Sequence, residues 1–165
     1  MLLQGKKIFL RSIQFSDADI LFQWENDRSN WHVSGTKKPF TKKEINAFIE
    51  TQKDIYLDKQ LRLIIERIPN PKSQILNPIG CIDLFEFDGK KTGVGILIDK
   101  KYRKKGYASD TLRVLIKYSF EVLNLRELHC RISEDNIASI RLFQKHNFKD
   151  TSKKKDIYCF ELQYK

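Results

Sequence analysis

Ile96-Leu97-Ile98-Asp99-Lys100-Lys101-Tyr102-Arg103-Lys104-Lys105-Gly106-Tyr107-Ala108 is the stretch from which the fold is read. It begins in an apolar run, residues 92–98, of the kind that forms a buried strand. It ends at the best helical pattern in the chain, residues 109–124, where Leu112, Leu115, Ile116, Phe120 and Leu123 fall on one face. Between the two lies a short basic loop with a glycine and a small residue, Gly106 and Ala108. Glycine lets backbone N–H groups turn toward a bound anion, and the helix that follows adds the positive end of its dipole. Lys100, Lys101, Arg103, Lys104 and Lys105 place five cations in the same six residues. The loop is suited to a pyrophosphate, and the plainer alternative is a solvated basic cap on a helix. A GxxxxGK[ST] motif is absent, and Gly93-Val94-Gly95 lacks the third glycine of a dinucleotide fingerprint.

Upstream, residues 7–13 read as a strand. Ser16 is positioned to cap a helix running to Trp24, and residues 26–40 read as an irregular loop containing Trp31 and His32. Thr41 opens a capping box with Glu44, followed by the stripe Ile45, Phe48 and Ile49. Residues 61–66 form a strand, then comes a polar loop with Pro69, Pro71 and Pro78. Residues 79–87 and 92–98 form a hairpin turning at Asp88-Gly89. Downstream, residues 127–133 are a strand and 136–146 a short helix, with Asn147 placed as its left-handed terminator. A last hairpin brings Phe148 round through residues 153–156 to a strand at 157–164. The pattern predicts one α/β domain over residues 6–165, with a mixed central sheet of about seven strands and about four helices.

Bulk properties agree with a single soluble domain: 165 residues, 41% hydrophobic and 32% charged. No apolar run is long enough to span a membrane or serve as a signal peptide, so the expected location is cytoplasmic. Cys81, Cys130 and Cys159 lie far apart in apolar segments, which argues for core thiols and against disulfide or metal chemistry. The net charge of +10 is uneven: residues 1–89 carry 13 basic and 12 acidic side chains, residues 90–165 carry 18 and 9. The C-terminal half is therefore expected to meet an anion.

Taken together, residues 93–148 resemble the acetyl-CoA core of the GNAT superfamily of N-acetyltransferases. That pattern is an apolar strand, then Arg/Gln-x-x-Gly-x-Gly/Ala, a helix, a strand, and Asn-x-x-Ser opening a helix that leads to Phe. This chain has Ile96 and Ile98, Arg103 to Ala108, Asn136-Ile137-Ala138-Ser139, and Phe148. Residues 10–19, Trp24-Glu25-Asn26-Asp27 and residues 79–84 are similar to ribosomal-protein N-terminal acetyltransferases and bacterial diamine acetyltransferases. The resemblance implies a GNAT fold whose sheet splays at the cofactor strand, and transfer of an acetyl group from acetyl-CoA to a primary amine, releasing CoA.

It also implies site residues. The pantetheine arm would lie along Ile96, Leu97 and Ile98, with the N–H of Ile96 or Leu97 facing the thioester oxygen. Arg103, Lys104, Lys105, Gly106, Tyr107 and Ala108 would hold the pyrophosphate, and Asn136 the pantetheine amides. Many members place a tyrosine acid where this chain has Phe143, so Ser139 is the preferred proton donor, and a tyrosine introduced at 143 is expected to restore the acid. Asp83 and Glu86 are candidate bases, expected on opposite faces of their strand because they are three residues apart. Glu134 and a water relay are alternatives, while His129 and His146 read as structural. The acceptor would be a small-molecule or peptide amine, with no membrane partner, and a homodimer is left open. Two competing readings are a basic nucleic-acid module, disfavoured because the cations gather at one loop, and a GNAT-fold acetyl-CoA binder with little catalysis.

Overall fold

The computed structural model describes residues 2–68 and 77–164, together with the backbone but not the side chains of His32 and Val33. The loop holding Pro69 and Pro71 lies outside the described residues. The described chain forms one eight-stranded sheet in the order β1-β2-β3-β4-β5-β6-β8-β7. The strands are β1 (Leu2–Gln4), β2 (Ile8–Ser12), β3 (Leu61–Arg67), β4 (Pro78–Phe85), β5 (Lys91–Ile98), β6 (Glu127–Ser133), β7 (Lys149–Lys154) and β8 (Ile157–Gln163). The helices are α1 (Ala18–Glu25), α2 (Trp31–Ser34), α3 (Lys42–Glu50), α4 (Ile55–Asp58), α5 (Tyr107–Glu121) and α6 (Ile137–Lys145). β1, one strand more than the seven expected, extends the sheet edge ahead of residue 6 by pairing with β2. Helices α2 and α4 are single turns within stretches too short and polar for a periodic signal.

Helix α5 crosses between β5 and β6, which pair in parallel, while the other described strand neighbours are antiparallel. Two apolar layers result. On one face α5 and α6 bury Leu112, Leu115 and Phe143 against Leu63, Ile82, Val94 and Phe160. On the other, Leu21 and Trp24 of α1 and Ile45 and Ile49 of α3 cover Ile64 and Cys81. Strand β3 is therefore covered on both faces, one of them carrying Arg62 and Glu66 beside Ile64 as ion-paired charges. The thiols of Cys81 and Cys130 are pushed up to about 12 by burial, so at neutral pH both are inert core groups.

Local signals hold at several boundaries. Thr41 caps α3, its hydroxyl accepting from the Glu44 amide while Glu44 returns to the Thr41 amide. Asn147 has φ 67 after α6. Helix α1 starts after a 3₁₀ turn at Phe15–Asp17 rather than at Ser16. There Asp17, not Ser16, accepts from the Gln14 amide, and Arg11 fixes it with two hydrogen bonds of 2.7 Å.

Candidate active site

Strands β5 and β6 stay in register only through Lys91↔Glu127, Thr92↔Leu128 and Gly93↔His129. Beyond Gly93, β5 continues to follow β4 and β6 continues to follow β8, so the two diverge and leave a wedge-shaped gap. The amide of Asp99 donates to the Ile79 carbonyl at 2.9 Å, which sets the alternation of the β4–β5 ladder. Leu97↔Cys81 and Gly95↔Asp83 are then its hydrogen-bonded pairs, and the backbone groups of Val94, Ile96 and Ile98 point away from β4 toward the gap. Of the two amides named from sequence, that of Ile96 enters the gap and that of Leu97 does not. Gly80 allows this close approach: a Cβ there would lie 2.1 Å from the Leu97 carbonyl oxygen.

The basic loop lies past the end of β5. Lys100–Tyr102 form a 3₁₀ turn capped by Asp99, Lys104 has φ 61, and Gly106 has φ 83 at the N-cap of α5. Left-handed backbone at Lys104 and Gly106 turns successive amides to one side, and Gly106 provides no side chain to cap α5. The first-turn amides of α5, including those of Tyr107 and Ala108, thus keep their capacity to bind an anion. Lys101 and Lys104 are exposed and without an ion-pair partner among the described residues. Lys105 turns back to the Lys101 carbonyl, 3.0 Å away. The Arg103 guanidinium is committed elsewhere, donating to the Ile98 carbonyl and to Asn30 Oδ1, both at 2.8 Å.

Lys7 joins this loop from nearly 100 residues away, which no local pattern announces. Its Nζ donates to the Lys105 carbonyl at 3.0 Å, and its amide donates to Asp110 Oδ2 at 2.7 Å. Ser109 in the first turn of α5 meets His146 Nε2 at 2.8 Å. Burial, then the charges of Lys145 and Arg113, hold His146 below its ordinary pKa, so its ring is a neutral partner for the hydroxyl. The side chain of His32 lies outside those described.

The far wall of the gap is the turn from β6 into α6. Asn136 is the N-cap of α6, its Oδ1 accepting from the Ser139 amide at 3.2 Å. The half-buried Ser139 hydroxyl makes no hydrogen bond to another described residue. Phe143 is 2% exposed and meets Phe148 edge-to-face, with centroids 5.0 Å apart. A tyrosine at 143 would place its hydroxyl in packed apolar core, contrary to the expectation that it restores an acid.

The carboxylates are sorted by their partners. Asp83 lies beside Gly95: a Cβ on that glycine would be 3.8 Å from Asp83 Oδ2. Arg62 grips Asp83 with two hydrogen bonds of 2.6 and 2.9 Å, binds Glu25 with its third nitrogen, and stacks on Phe48. Glu86 follows the end of β4 with φ 54, which breaks the strand alternation. It therefore reaches His129 and Arg131 on the same face as Asp83, not the opposite one. The hydrogen bond from Arg131 lowers its pKa, and this corner is where the gap closes. Glu134 is paired with Lys153 at 2.5 Å.

Residues 7–149 match the acetyltransferase (GNAT) domain. The chain is similar to the uncharacterized N-acetyltransferase p20 of Bacillus licheniformis, 26% identical over 97% of this chain and 94% of that protein. Its fold is that of the spermidine N-acetyltransferase from Vibrio cholerae solved with CoA and spermine, with TM-score 0.84, 18% identity and 96% of each chain covered. It is also that of the Campylobacter jejuni N-acetyltransferase PseH solved with acetyl coenzyme A, with TM-score 0.70, 18% identity, and 96% of this chain and 99% of that one covered.

Proposed function

Since the chain belongs to the GNAT family of acetyl-CoA-dependent N-acetyltransferases, we propose that it acetylates a primary amine, held beside Gly95 and Asp83, by direct attack on the thioester. The observation that carries this reading is the gap opening after Gly93↔His129 and leading straight to the left-handed turns at Lys104 and Gly106. An elongated ligand with a diphosphate at one end fits such a gap, and Gly106 adds no side chain of its own to the cradle, beside which Lys7 Nζ lies. When bound, acetyl-CoA supplies an activated acetyl group.

The residues divide the remaining work. The loop amides of residues 103–108, with Lys104, would hold the diphosphate, Ile96, Leu97 and Ile98 would line the pantetheine arm, and Asn136 at the N-cap of α6 would bind its amides. The Ile96 N–H, fixed by the β4–β5 ladder, stabilises negative charge developing on the acetyl oxygen without reorganising. Ser139 Oγ, without a hydrogen-bond partner among the described residues, would give a proton to the departing sulfur and regain one from solvent. Asp83, held in place by the two hydrogen bonds from Arg62, orients the incoming amine, whose proton leaves through water at Asp83 Oδ2. Glu86 is the weaker candidate, because Arg131 and His129 occupy it at the closed end of the gap.

The acceptor class is a small amine, a protein N-terminus or an amino sugar. The solved relative bound to spermine keeps polyamines in the set. The test is an acceptor screen: purified protein, acetyl-CoA and panels of these amines, read by release of free thiol. Calorimetry with CoA runs beside it. Absence of CoA binding at millimolar concentration would overturn the reading. Binding without turnover on any amine would leave a cofactor-binding protein and remove the catalytic part.

A further inference from the structure

We propose that Arg103 is a positioning residue that ties the acceptor-side wall to the cofactor strand, so that loading the loop sets the shape of the amine site. This rests on the reading of the gap as an acetyl-CoA and amine site. Arg103 leaves the 3₁₀ turn in extended backbone, φ −65 and ψ 161, and its side chain doubles back along the end of β5. Nε donates to the carbonyl of Ile98, one of the backbone groups released from β4, and Nη2 donates to Asn30 Oδ1. Asn30 is 9% exposed and ends the 3₁₀ turn Arg28–Asn30 that follows α1. One planar guanidinium therefore spans two segments more than 70 residues apart.

Two further contacts join the same pieces. Trp24 Nε1 donates to Asp99 Oδ2 at 3.1 Å, and Lys100 Nζ lies 3.6 Å from Asp27 Oδ2. The wall so attached also reaches the amine side. Trp31 Nε1 donates to the carbonyl of Glu25 at 2.9 Å, and Glu25 shares Arg62 with Asp83 beside Gly95. A continuous chain of contacts, part-buried except for the Lys100–Asp27 pair with its exposed lysine, thus runs from residues 99–103 through residues 24–31 to Asp83. Ligand that orders the loop must order this wall, and by linkage an ordered wall must favour ligand in the loop.

Hydrogen exchange with CoA as the probe tests this without an identified acceptor. In the wild type, CoA should slow exchange at residues 27–31 by about 5-fold or more, the lower end of ordinary coupling between sites. Arg103→Lys keeps the charge but cannot span both acceptors with a planar fork. It should hold CoA within about threefold of wild type while protection at residues 27–31 drops below about twofold. Asn30→Ala removes the tie from its other end and should lose the same protection, so the test does not depend on one variant folding. The inference is overturned if CoA binds and leaves residues 27–31 unchanged in the wild type, or if both variants keep full protection. It is overturned equally if Arg103→Lys loses CoA affinity outright, which would make Arg103 a phosphate ligand. Wild type that fails to bind CoA by calorimetry would strike the cofactor reading itself.

Discussion

Gly106→Asp separates a shaped anion cradle from diffuse positive charge. Gly106 has φ 83, where a side chain costs roughly 1–2 kcal/mol. Its new Cβ would lie 3.2 Å from Lys7 Nζ, the mobile end of a side chain that can shift. A carboxylate at this N-cap also gains about 0.3–1 kcal/mol from the positive end of α5. Folding should therefore lose only about 1 kcal/mol, a melting-temperature drop of roughly 2–4 °C for a chain of this size. Binding should suffer far more. A carboxylate about 5 Å from a phosphate, at an effective dielectric of about 20, adds about 3 kcal/mol of repulsion. CoA affinity should then fall by about 100-fold. Lys153→Ala is the control: Lys153 pairs with Glu134, stacks on Tyr158, and sits on the β7–β8 hairpin. CoA calorimetry at two salt concentrations distinguishes the cases, because diffuse attraction is screened within about 10 Å at 0.1 M salt. Equal losses from Gly106→Asp and Lys153→Ala, both erased by salt, would refute the cradle.

Ser139→Ala should lower kcat by about 10²-fold or more on an acceptor found in the screen while calorimetric CoA affinity is kept, since the proton is needed only in the transition state; full activity would end the role assigned to Ser139. Phe143→Tyr should lower the melting temperature and fail to rescue Ser139→Ala, because a hydroxyl buried without a partner beside Phe148 costs about 1–3 kcal/mol. His146 provides a pH test: its folded pKa lies below the ordinary 6.5, so its contribution to stability is complete above that value. As pH falls, the unfolded ring takes up a proton first, and the contribution is lost toward the folded pKa. Thermal melts between about pH 7 and pH 5 should therefore decline more steeply for wild type than for His146→Gln.

The fold was legible wherever the signal is local. The capping box Thr41–Glu44, the Asp88-Gly89 turn and the left-handed Asn147 each act within four or five residues and stand where the pattern puts them, while α5 keeps its stripe from Leu112 to Phe120 but runs over Tyr107–Glu121, ending before Leu123. Strand β1 was not legible because three residues carry no period, and it exists only by pairing with β2. The start of α1 was misplaced for a related reason. Ser16 is a good cap by residue type, but Asp17 stands at the N-cap position of α1 with its carboxylate turned to the Gln14 amide and to Arg11, a tertiary partner.

The site divides along the same line. Of the backbone features, the glycine loop could be read ahead as a local conformational requirement, whereas choosing the Ile96 amide over that of Leu97 takes one bond of the folded sheet, Asp99 N–H to Ile79. Side-chain roles could not be read ahead, because a carboxylate's chemistry depends on who holds it. Asp83, Glu86 and Glu134 are equivalent as letters, yet Arg62, Arg131 and Lys153 claim them from strands that meet only in the folded sheet. Arg103 makes the same point for cations. Counting it among five positive charges was correct, but its two hydrogen bonds are spent on Ile98 and Asn30. What separates a phosphate ligand from a tie between walls is an acceptor 73 residues away, and no reading of neighbouring residues contains it.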